Sequence, residues 1–229
     1  MKIIGLIGGM SWESTASYYR ELNEGVKAAL GGLHSANILL QSLDFAPLEA
    51  MQSKGDWEGI AKELSQAAAT LEQGGADFIL IGTNTMHRVY EDVEQSVGIP
   101  LLHIADATAE VLLADGVQRV GLLGTAFTME QSFYKGRLSK KFGLEVLTPQ
   151  PADRQRVHDI IYQELCQGKI RDESRREYLR IMGDLVEAGA EAVILGCTEI
   201  GLLVKPEDTN IRLYDTAKIH SAKAVERAL

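Results

Sequence analysis

Two short segments of the sequence carry side chains that can transfer a proton or bind an anion. They are Thr83-Asn84-Thr85 and Cys197-Thr198-Glu199, each directly after a glycine. A thiol has a free pKa of about 8.5, which falls by several units at a helix N-terminus, so Cys197 is a candidate base near neutral pH. The Thr83 hydroxyl is a far weaker acid and would need an adjacent base. The sequence thus offers a proton-transfer candidate in each of two separated segments.

Both segments belong to an internal repeat. Residues 71–85 align without a gap on residues 185–199, at an offset of 114, and residues 4–8 align on residues 120–124, at an offset of 116. Two independent matches at nearly one shift, about half the chain, indicate two related halves. The repeat gives Thr83 and Cys197 equivalent positions in the two halves.

Short apolar runs predict the strands that position these segments. Runs at residues 3–7, 78–81, 120–123 and 192–195 each end at a glycine, and further strands are predicted at residues 36–43 and 101–104. Helices between them are predicted from two apolar series, Tyr18, Leu22 and Val26, and Leu179, Met182 and Val186. Continuous apolar runs are typical of parallel strands covered on both faces. The alternation predicts an α/β fold of two pseudo-symmetric parallel-sheet domains, of the flavodoxin-like, three-layer type.

The domain boundaries are predicted from the repeat and the tail. The first domain comprises residues 1–98 and 209–229, and the second comprises residues 99–208. In the tail, residues 211–214 are predicted as a strand and residues 217–229 as a helix that closes the first sheet. Ligands of open α/β sheets bind beyond the carboxyl ends of the strands, so the two candidate segments are expected to face each other across an interdomain cleft. Helix starts after both segments would direct backbone N–H groups toward an anion there.

Composition narrows the class of partner. The chain of 229 residues has 23 Lys and Arg against 32 Asp and Glu, a net charge of −9, which argues against nucleic acid and favours a small molecule. Two cysteines make no disulfide framework, and no Cys and His spacing fits a zinc site, so a reducing cytoplasm is expected. The first ten residues are too short for a signal peptide, and no run of eighteen apolar residues follows, so we expect neither export by that route nor a membrane span.

Three separated motifs resemble those of the aspartate/glutamate racemase family. They are Gly8-Gly9-Met10-Ser11-Trp12-Glu13-Ser14-Thr15, Gly82-Thr83-Asn84-Thr85-Met86-His87 and Gly196-Cys197-Thr198-Glu199. Their order and spacing agree with the family over the whole length. The resemblance implies an isomerase, independent of metal and pyridoxal cofactors, that inverts the α-carbon of an acidic amino acid with one cysteine from each of two pseudo-symmetric domains. It also implies a homodimer.

Thr83 departs from the family pattern, which has cysteine before Asn-Thr. By the resemblance, Cys197 serves the L-enantiomer. We expect Thr83 to serve the opposite face through a bound water or with help from His87, a role for His87 that the resemblance does not supply. Racemisation needs a proton-transfer group on each face of the α-carbon. Because Thr83 is only weakly acidic, we expect proton transfer to be slow on the face that it serves. The enantiomers are equally stable, so a weak Thr83 lowers the rates in both directions together.

Further residues are predicted to bind substrate. Donors that stabilise the carbanion through its carboxylate are Asn84, Thr85, Thr125 and Thr198, and the remaining candidates are Met10, Gln52, Thr128 and Glu199. Gln52 reads equally well as a solvated helix residue. Thr128-Met-Glu-Gln131 has a capping-box pattern and predicts a third helix start. The spacing selects none of Arg137, Lys169 and Arg171 for the distal carboxylate, so the preferred amino acid stays open.

Two other functions fit the same residues. Decarboxylases and maleate isomerase share the superfamily fold and use one cysteine as acid or nucleophile, and here one cysteine of the pair is present. The second alternative is a ligand-binding or regulatory module, in which Thr83 would mark the loss of catalysis. A phosphate loop at Gly8-Gly9-Met10 is disfavoured because both nucleotide-loop patterns are missing. Cys166 is predicted in a helical core, and the histidines 34, 103, 158 and 220 as separate surface or core residues.

Overall fold

Two four-stranded parallel sheets form the framework in the computed structural model, which describes residues 1–229. The first contains β1 (Ile4–Gly8), β2 (Ile38–Ser42), β3 (Phe78–Ile81) and β4 (Leu101–Leu102), in the order β2-β1-β3-β4. The second contains β5 (Arg119–Gly124), β6 (Glu145–Leu147), β7 (Ala192–Gly196) and β8 (Leu213–Asp215), in the order β6-β5-β7-β8. The matching orders confirm the predicted fold of two similar parallel-sheet α/β domains.

Helices follow the strands along the chain. They are α1 (Trp12–Leu30), α2 (Phe45–Lys54), α3 (Trp57–Gln73), α4 (Tyr90–Gln95), α5 (Ile104–Ala114), α6 (Ala126–Glu130), α7 (Ser132–Phe142), α8 (Pro151–Gln163), α9 (Asp172–Glu187), α10 (Ile200–Leu203) and α11 (Thr216–Ala228). Short 3-10 helices span Thr85–Val89, Leu165–Gln167 and Pro206–Asp208. None of these helices combines the length and the apolar composition that a membrane crossing requires.

The apolar faces of the helices cover strands that are themselves buried. Every residue of β1, β3 and β7 is buried, as the continuous apolar runs predict. Helix α1 buries Tyr18, Leu22 and Val26, the predicted series. In α9 the buried face is centred on Tyr178, Ile181, Met182 and Leu185, whereas the predicted Val186 is 39% exposed. Met182 of the predicted series is therefore at the centre of the apolar face, and Val186 lies at its edge.

Two compact units divide the chain, and their boundaries differ from those predicted. The first unit comprises Met1–Ile104 and His220–Leu229, and the second comprises Ala105–Ile219. Strand β4 pairs with β3, so it belongs to the first sheet. Strand β8 pairs with β7, so the predicted return of residues 211–214 to the first sheet is wrong. The tail rejoins the first unit only from His220 onward, within α11.

The remaining differences concern short edge elements. Strand β6 was not predicted because it has three residues, Glu145 among them is exposed, and no continuous apolar run marks it. The predicted strand at residues 101–104 ends at Leu102, since α5 begins at Ile104. Edge strands pair on one side only, so they need less apolar sequence than central strands.

Candidate active site

The glycine-rich segment after β1 is a tight turn into α1. Gly9 has φ of +91°, and a Cβ there would lie 2.0 Å from the Leu43 carbonyl oxygen, so only glycine fits. The Thr15 hydroxyl accepts a hydrogen bond from the Gly9 N–H at 2.8 Å and donates one to the Ser11 carbonyl at 2.8 Å. These contacts fix the turn and bury Met10 at the end of the strand.

The segment after β3 carries the second group of predicted residues. Strand β3 pairs with β1, with Ile81 opposite Ile7, so Thr83 follows a strand next to the one that leads to Met10. Asn84 and Thr85 are buried, and Thr83 is half-buried. Gln52 is 3% exposed on α2, so its interpretation as a solvated residue is wrong.

His87 holds the backbone on which Thr83 lies. Its Nδ1 lies 2.8 Å from the Thr83 carbonyl oxygen, and its Nε2 accepts a hydrogen bond from the Ile104 N–H at 3.2 Å. An N–H bound to Nε2 requires that nitrogen to be unprotonated, so Nδ1 carries the proton and donates to Thr83. Both ring nitrogens thus form hydrogen bonds with backbone groups, whereas the sequence suggested that His87 assists reprotonation.

The buried histidines of the first unit form a cluster, although the sequence analysis treated His103 and His220 as separate residues. The His87 ring lies 4.5 Å from that of His103 and 6.1 Å from that of His220, centroid to centroid. His220 Nδ1 lies 2.9 Å from the Tyr18 hydroxyl, and its Nε2 lies 2.9 Å from the Leu102 carbonyl oxygen. Burial lowers the pKa of His220 to about 4, so this ring is neutral near pH 7.

Cys197 follows β7 in the second unit at the position equivalent to Thr83. Its thiol, 8% exposed, donates a hydrogen bond to Glu199 Oε2 at a sulfur–oxygen distance of 2.9 Å. The Thr198 hydroxyl donates to the same oxygen at 3.0 Å. Glu199 is 2% exposed, and its carboxylate lies against the thiol, a contact that the sequence did not predict.

The environment of Cys197 favours the protonated thiol. Burial raises its pKa well above the ordinary value, and the neighbouring Glu199 carboxylate raises it further. The prediction that a helix start lowers this pKa is therefore wrong. Helix α10 has only four residues, and the loss of hydration outweighs the few N–H groups that it offers.

The two threonines predicted after β5 are both buried, but they have different roles in the helix. Thr125 is the N-cap of α6, and its hydroxyl oxygen accepts the Thr128 N–H at 3.3 Å. Thr128 lies inside α6, so the prediction that it begins a helix is wrong: the cap is three residues earlier. Gly124 lies opposite Gly196 in the sheet register, so Thr125 and Cys197 follow neighbouring strand ends.

The basic residues considered for binding a distal carboxylate are exposed or already paired with other side chains. Arg137 Nε lies 2.5 Å from Asp106 Oδ1 and its Nη2 lies 2.8 Å from Oδ2. Burial opposes ionisation of Asp106, but hydrogen bonds from Arg137 and Lys141 outweigh it and lower the pKa of that carboxyl. Lys169 binds the Gln167 side chain at 2.7 Å, and Arg171 is an exposed residue.

Two further observations concern cysteine and metal chemistry. Cys166 lies half-buried in the 3-10 helix that follows the end of α8, so it is not the helical core residue predicted. No group of three or more His, Cys, Asp and Glu residues has an arrangement that could hold a metal ion.

Comparison with known proteins gives matches over nearly the whole chain. A sequence model of the family described as Asp/Glu/Hydantoin racemase matches residues 7–224. The structure superposes with a TM-score of 0.92 on a candidate Asp/Glu racemase from Yersinia pestis, which is 53% identical, covering 100% of this chain and 99% of the other. For an aspartate racemase homologue from Pyrococcus horikoshii OT3 the TM-score is 0.86 and the identity 38%, with the same coverages. The broad specificity amino-acid racemase RacX of Bacillus subtilis (strain 168) is 22% identical over 220 residues, 94% of this chain and 93% of RacX.

Proposed function

The chain belongs to the Asp/Glu/hydantoin racemase family, and we propose that it is an amino-acid racemase acting on aspartate, glutamate or related amino acids without a cofactor. The observation that carries this proposal is the equivalence of Thr83 and Cys197. Each lies one residue beyond a glycine at the end of the corresponding strand, β3 or β7, of two sheets with the same strand order. A two-sided proton transfer needs such a pair.

In the proposed mechanism, Cys197 removes the α-proton of the L-enantiomer and the Thr83 side supplies a proton to the opposite face. The Thr83 hydroxyl is too weak an acid to be ionised alone, so a water bound to it carries that proton. The half-buried state of Thr83, beside the fully buried Asn84, supports access for this water. The roles reverse for the D-enantiomer.

The remaining predicted residues are proposed to bind the amino acid. As the α-proton leaves, charge develops on the α-carboxylate, and hydrogen-bond donors already in place stabilise it without reorganisation. We assign this role to Asn84, Thr85, Thr125 and Thr198, with Met10, Gln52 and Thr128 enclosing the substrate. Their burial supports this assignment, because donors shielded from water interact more strongly with developing charge.

A chiral assay tests the proposal. Purified protein is incubated separately with L- and D-forms of aspartate, glutamate and a panel of other amino acids, and the enantiomers are separated after derivatisation. Wild type and the control Cys166→Ala, which removes the other thiol, should produce the opposite enantiomer, whereas Cys197→Ala should lose at least 100-fold in rate. Absence of racemisation by the wild type with every amino acid would contradict the proposal.

A decarboxylase or cis-trans isomerase is the second candidate. The observation that favours it is the burial of the Cys197 thiol, which raises its pKa and so suits a residue that acts as an acid. Incubation with the same amino acids and with maleate distinguishes it, because a decarboxylase removes a carboxyl group as carbon dioxide and a cis-trans isomerase converts maleate to its trans isomer. A thermal shift with an amino acid but no product of either kind would instead indicate a binding module.

A further inference from the structure

We propose that a cavity in the second unit binds a free amino acid with an apolar side chain, at a site separate from the candidate active site. The cavity measures about 290 Å³ and is bordered by β7, β8, α10 and the beginning of α11. None of the residues proposed to bind or react with the substrate lines it. The inference therefore stands apart from the proposed racemase function.

The walls of the cavity are mainly apolar. They are formed by side chains from five parts of the second unit, namely Val111, Leu195, Val204, Leu213 and Ile219. Sites for small molecules are typically apolar cavities of about 300–1,000 Å³ that contain a few polar groups. This cavity lies at the lower end of that range, which suits a ligand of the size of an amino acid.

Three charged side chains lie among these apolar walls. Lys205 and Lys218 lie near Asp215, since both act to lower the pKa of its carboxyl, but no ion pair joins either lysine to it. The Lys205 ammonium donates a hydrogen bond to the Gly201 carbonyl at 2.5 Å, and Lys218 is exposed. Two ammonium groups and one carboxylate give the cavity a net positive charge, which favours a ligand that carries a carboxylate.

Asp215 offers an acceptor for the ammonium group of the same ligand. Its Oδ1 accepts hydrogen bonds from the N–H groups of Ala217 and Lys218 at 3.0 and 3.2 Å, at the start of α11. Its Oδ2 packs against α10, where a Cβ at Gly201 would overlap it, and accepts no hydrogen bond. Burial raises the pKa of Asp215, and these hydrogen bonds and the two lysines offset the effect only in part. An ammonium group at Oδ2 would stabilise the carboxylate further.

These features together match an amino acid whose side chain is apolar. Its carboxylate would lie by Lys205 and Lys218, its ammonium group by Asp215, and its side chain against the apolar walls. Aspartate or glutamate would instead bring a second carboxylate against those walls, where a charge without hydrogen-bond partners is costly. The cavity therefore discriminates against the amino acids proposed as substrates.

Titration calorimetry of the wild-type protein with L-leucine tests the ligand class. Leucinamide lacks the carboxylate of leucine, and 4-methylpentanoate lacks its ammonium group. Each loses a hydrogen-bonded charged group, so each should bind about tenfold more weakly than leucine or worse. Absence of leucine binding would overturn the inference, and equal affinity for either analogue would overturn the contact assigned to the missing group.

Two variants test the place of binding, each with a control on the same helix. Val111→Trp fills the cavity from α5, and Lys218→Met removes a positive charge from α11, so both should weaken leucine binding about tenfold or more. Their controls are Leu113→Trp, at a position 44% exposed on α5, and Lys223→Met on α11. Neither position lines the cavity, so both controls should keep the wild-type affinity.

Asn84→Ala distinguishes this cavity from the candidate active site. Because Asn84 belongs to the first unit and to the proposed substrate site, its replacement should leave the affinity for leucine within about twofold. Leucine binding that Asn84→Ala removes and Val111→Trp keeps would place leucine with the substrate and overturn the inference. If Val111→Trp does not fold, Lys218→Met and the two analogues decide the question. All of these measurements hold whether or not the protein racemises an amino acid.

Discussion

At the scale of single residues, Thr83 should limit the rate. Replacing Thr83 with cysteine supplies an ionisable group on that side, so racemisation should rise about tenfold or more. Because the two enantiomers are equally stable, kcat/KM must rise by the same factor from the L- and the D-substrate. Chiral chromatography of initial rates from both enantiomers measures this.

A thiol introduced elsewhere provides the control for this substitution. Thr70, exposed on α3, can be changed to cysteine without adding a group near the predicted site. Thr70→Cys should leave the rates unchanged. If Thr83→Cys behaves like Thr70→Cys, Thr83 does not lie on the proton-transfer path.

The chemistry of Cys197 shows what the sequence can and cannot predict about a residue. Its place after a strand-ending glycine was predictable, because the repeat aligns it with Thr83. Its raised pKa was not, because burial and the contact with Glu199 depend on the fold of the turn after β7. An acidic residue two positions after a cysteine in a turn is a signal that such a contact is possible.

At the scale of secondary-structure elements, the turn from β1 to α1 should not tolerate a side chain. Gly9→Ala places a Cβ 2.0 Å from the Leu43 carbonyl oxygen at a positive φ, so we expect a loss of about 3 kcal/mol or more in unfolding free energy. Gly75 has a similar φ of +95° with no atom near its Cβ position, and Gly75→Ala should cost about 1–2 kcal/mol. Urea unfolding of both variants measures the difference, and equal losses would contradict the account of this turn.

The hydrogen bonds of His87 should matter both for stability and for the position of Thr83. His87→Phe keeps a ring in the cluster but removes a donor to the Thr83 carbonyl and an acceptor from the Ile104 N–H. We expect unfolding free energy to fall by about 2 kcal/mol, with a decrease in kcat as Thr83 loses its support. His34→Phe, at an exposed position, is the control and should leave both nearly unchanged. A fully active His87→Phe would show that Thr83 needs no such support.

The edge strands explain why the domain boundaries were mispredicted. Leu101 and Leu213 begin β4 and β8 and are separated by nearly the same offset as the repeat, so the repeat itself places each strand in its own half. The predicted boundary instead returned the whole tail, residues 209–229, to the first domain. Short edge strands have weak local signals, and their sheet is decided by pairing over long distances.

At the scale of the whole molecule, the free energy of unfolding should decrease in acid because the buried His220 ring resists protonation in the folded state. The folded pKa of His220 is about 4, whereas an unfolded histidine has a pKa of about 6.5, so between these values the unfolded state binds more protons. Stability present above pH 6.5 is therefore lost as pH falls toward 4, by about 3 kcal/mol for this residue. Asp215, whose pKa burial raises, acts in the opposite direction.

Comparison with a variant isolates the histidine contribution from those of other groups. Urea unfolding of wild type and His220→Gln at several pH values should give free energies whose difference shrinks by about 3 kcal/mol from pH 7 to pH 4. Parallel curves for the two proteins would show that His220 is not a neutral, buried ring in the folded state.

The duplicated α/β architecture was predictable from the sequence because two segments repeat at nearly one offset and end in glycine. The preferred amino acid could not be predicted from the sequence, because recognition of a distal carboxylate depends on which basic side chain is available. Arg137 is bound to Asp106, a pairing that no local pattern indicates. The homodimer stays a prediction, which light scattering on the purified protein tests.

Exchange of the α-hydrogen with solvent tests the central claim most directly. In D2O, proton NMR should show that the L-substrate loses its α-signal with retention faster than it racemises, and faster than the D-substrate loses its own, because the Cys197 thiol ionises far more readily than the Thr83 hydroxyl. Cys197→Ala should abolish this exchange. An α-signal lost equally fast from both enantiomers, or lost from neither, would contradict the assignment of Cys197 and Thr83 to opposite faces of the α-carbon.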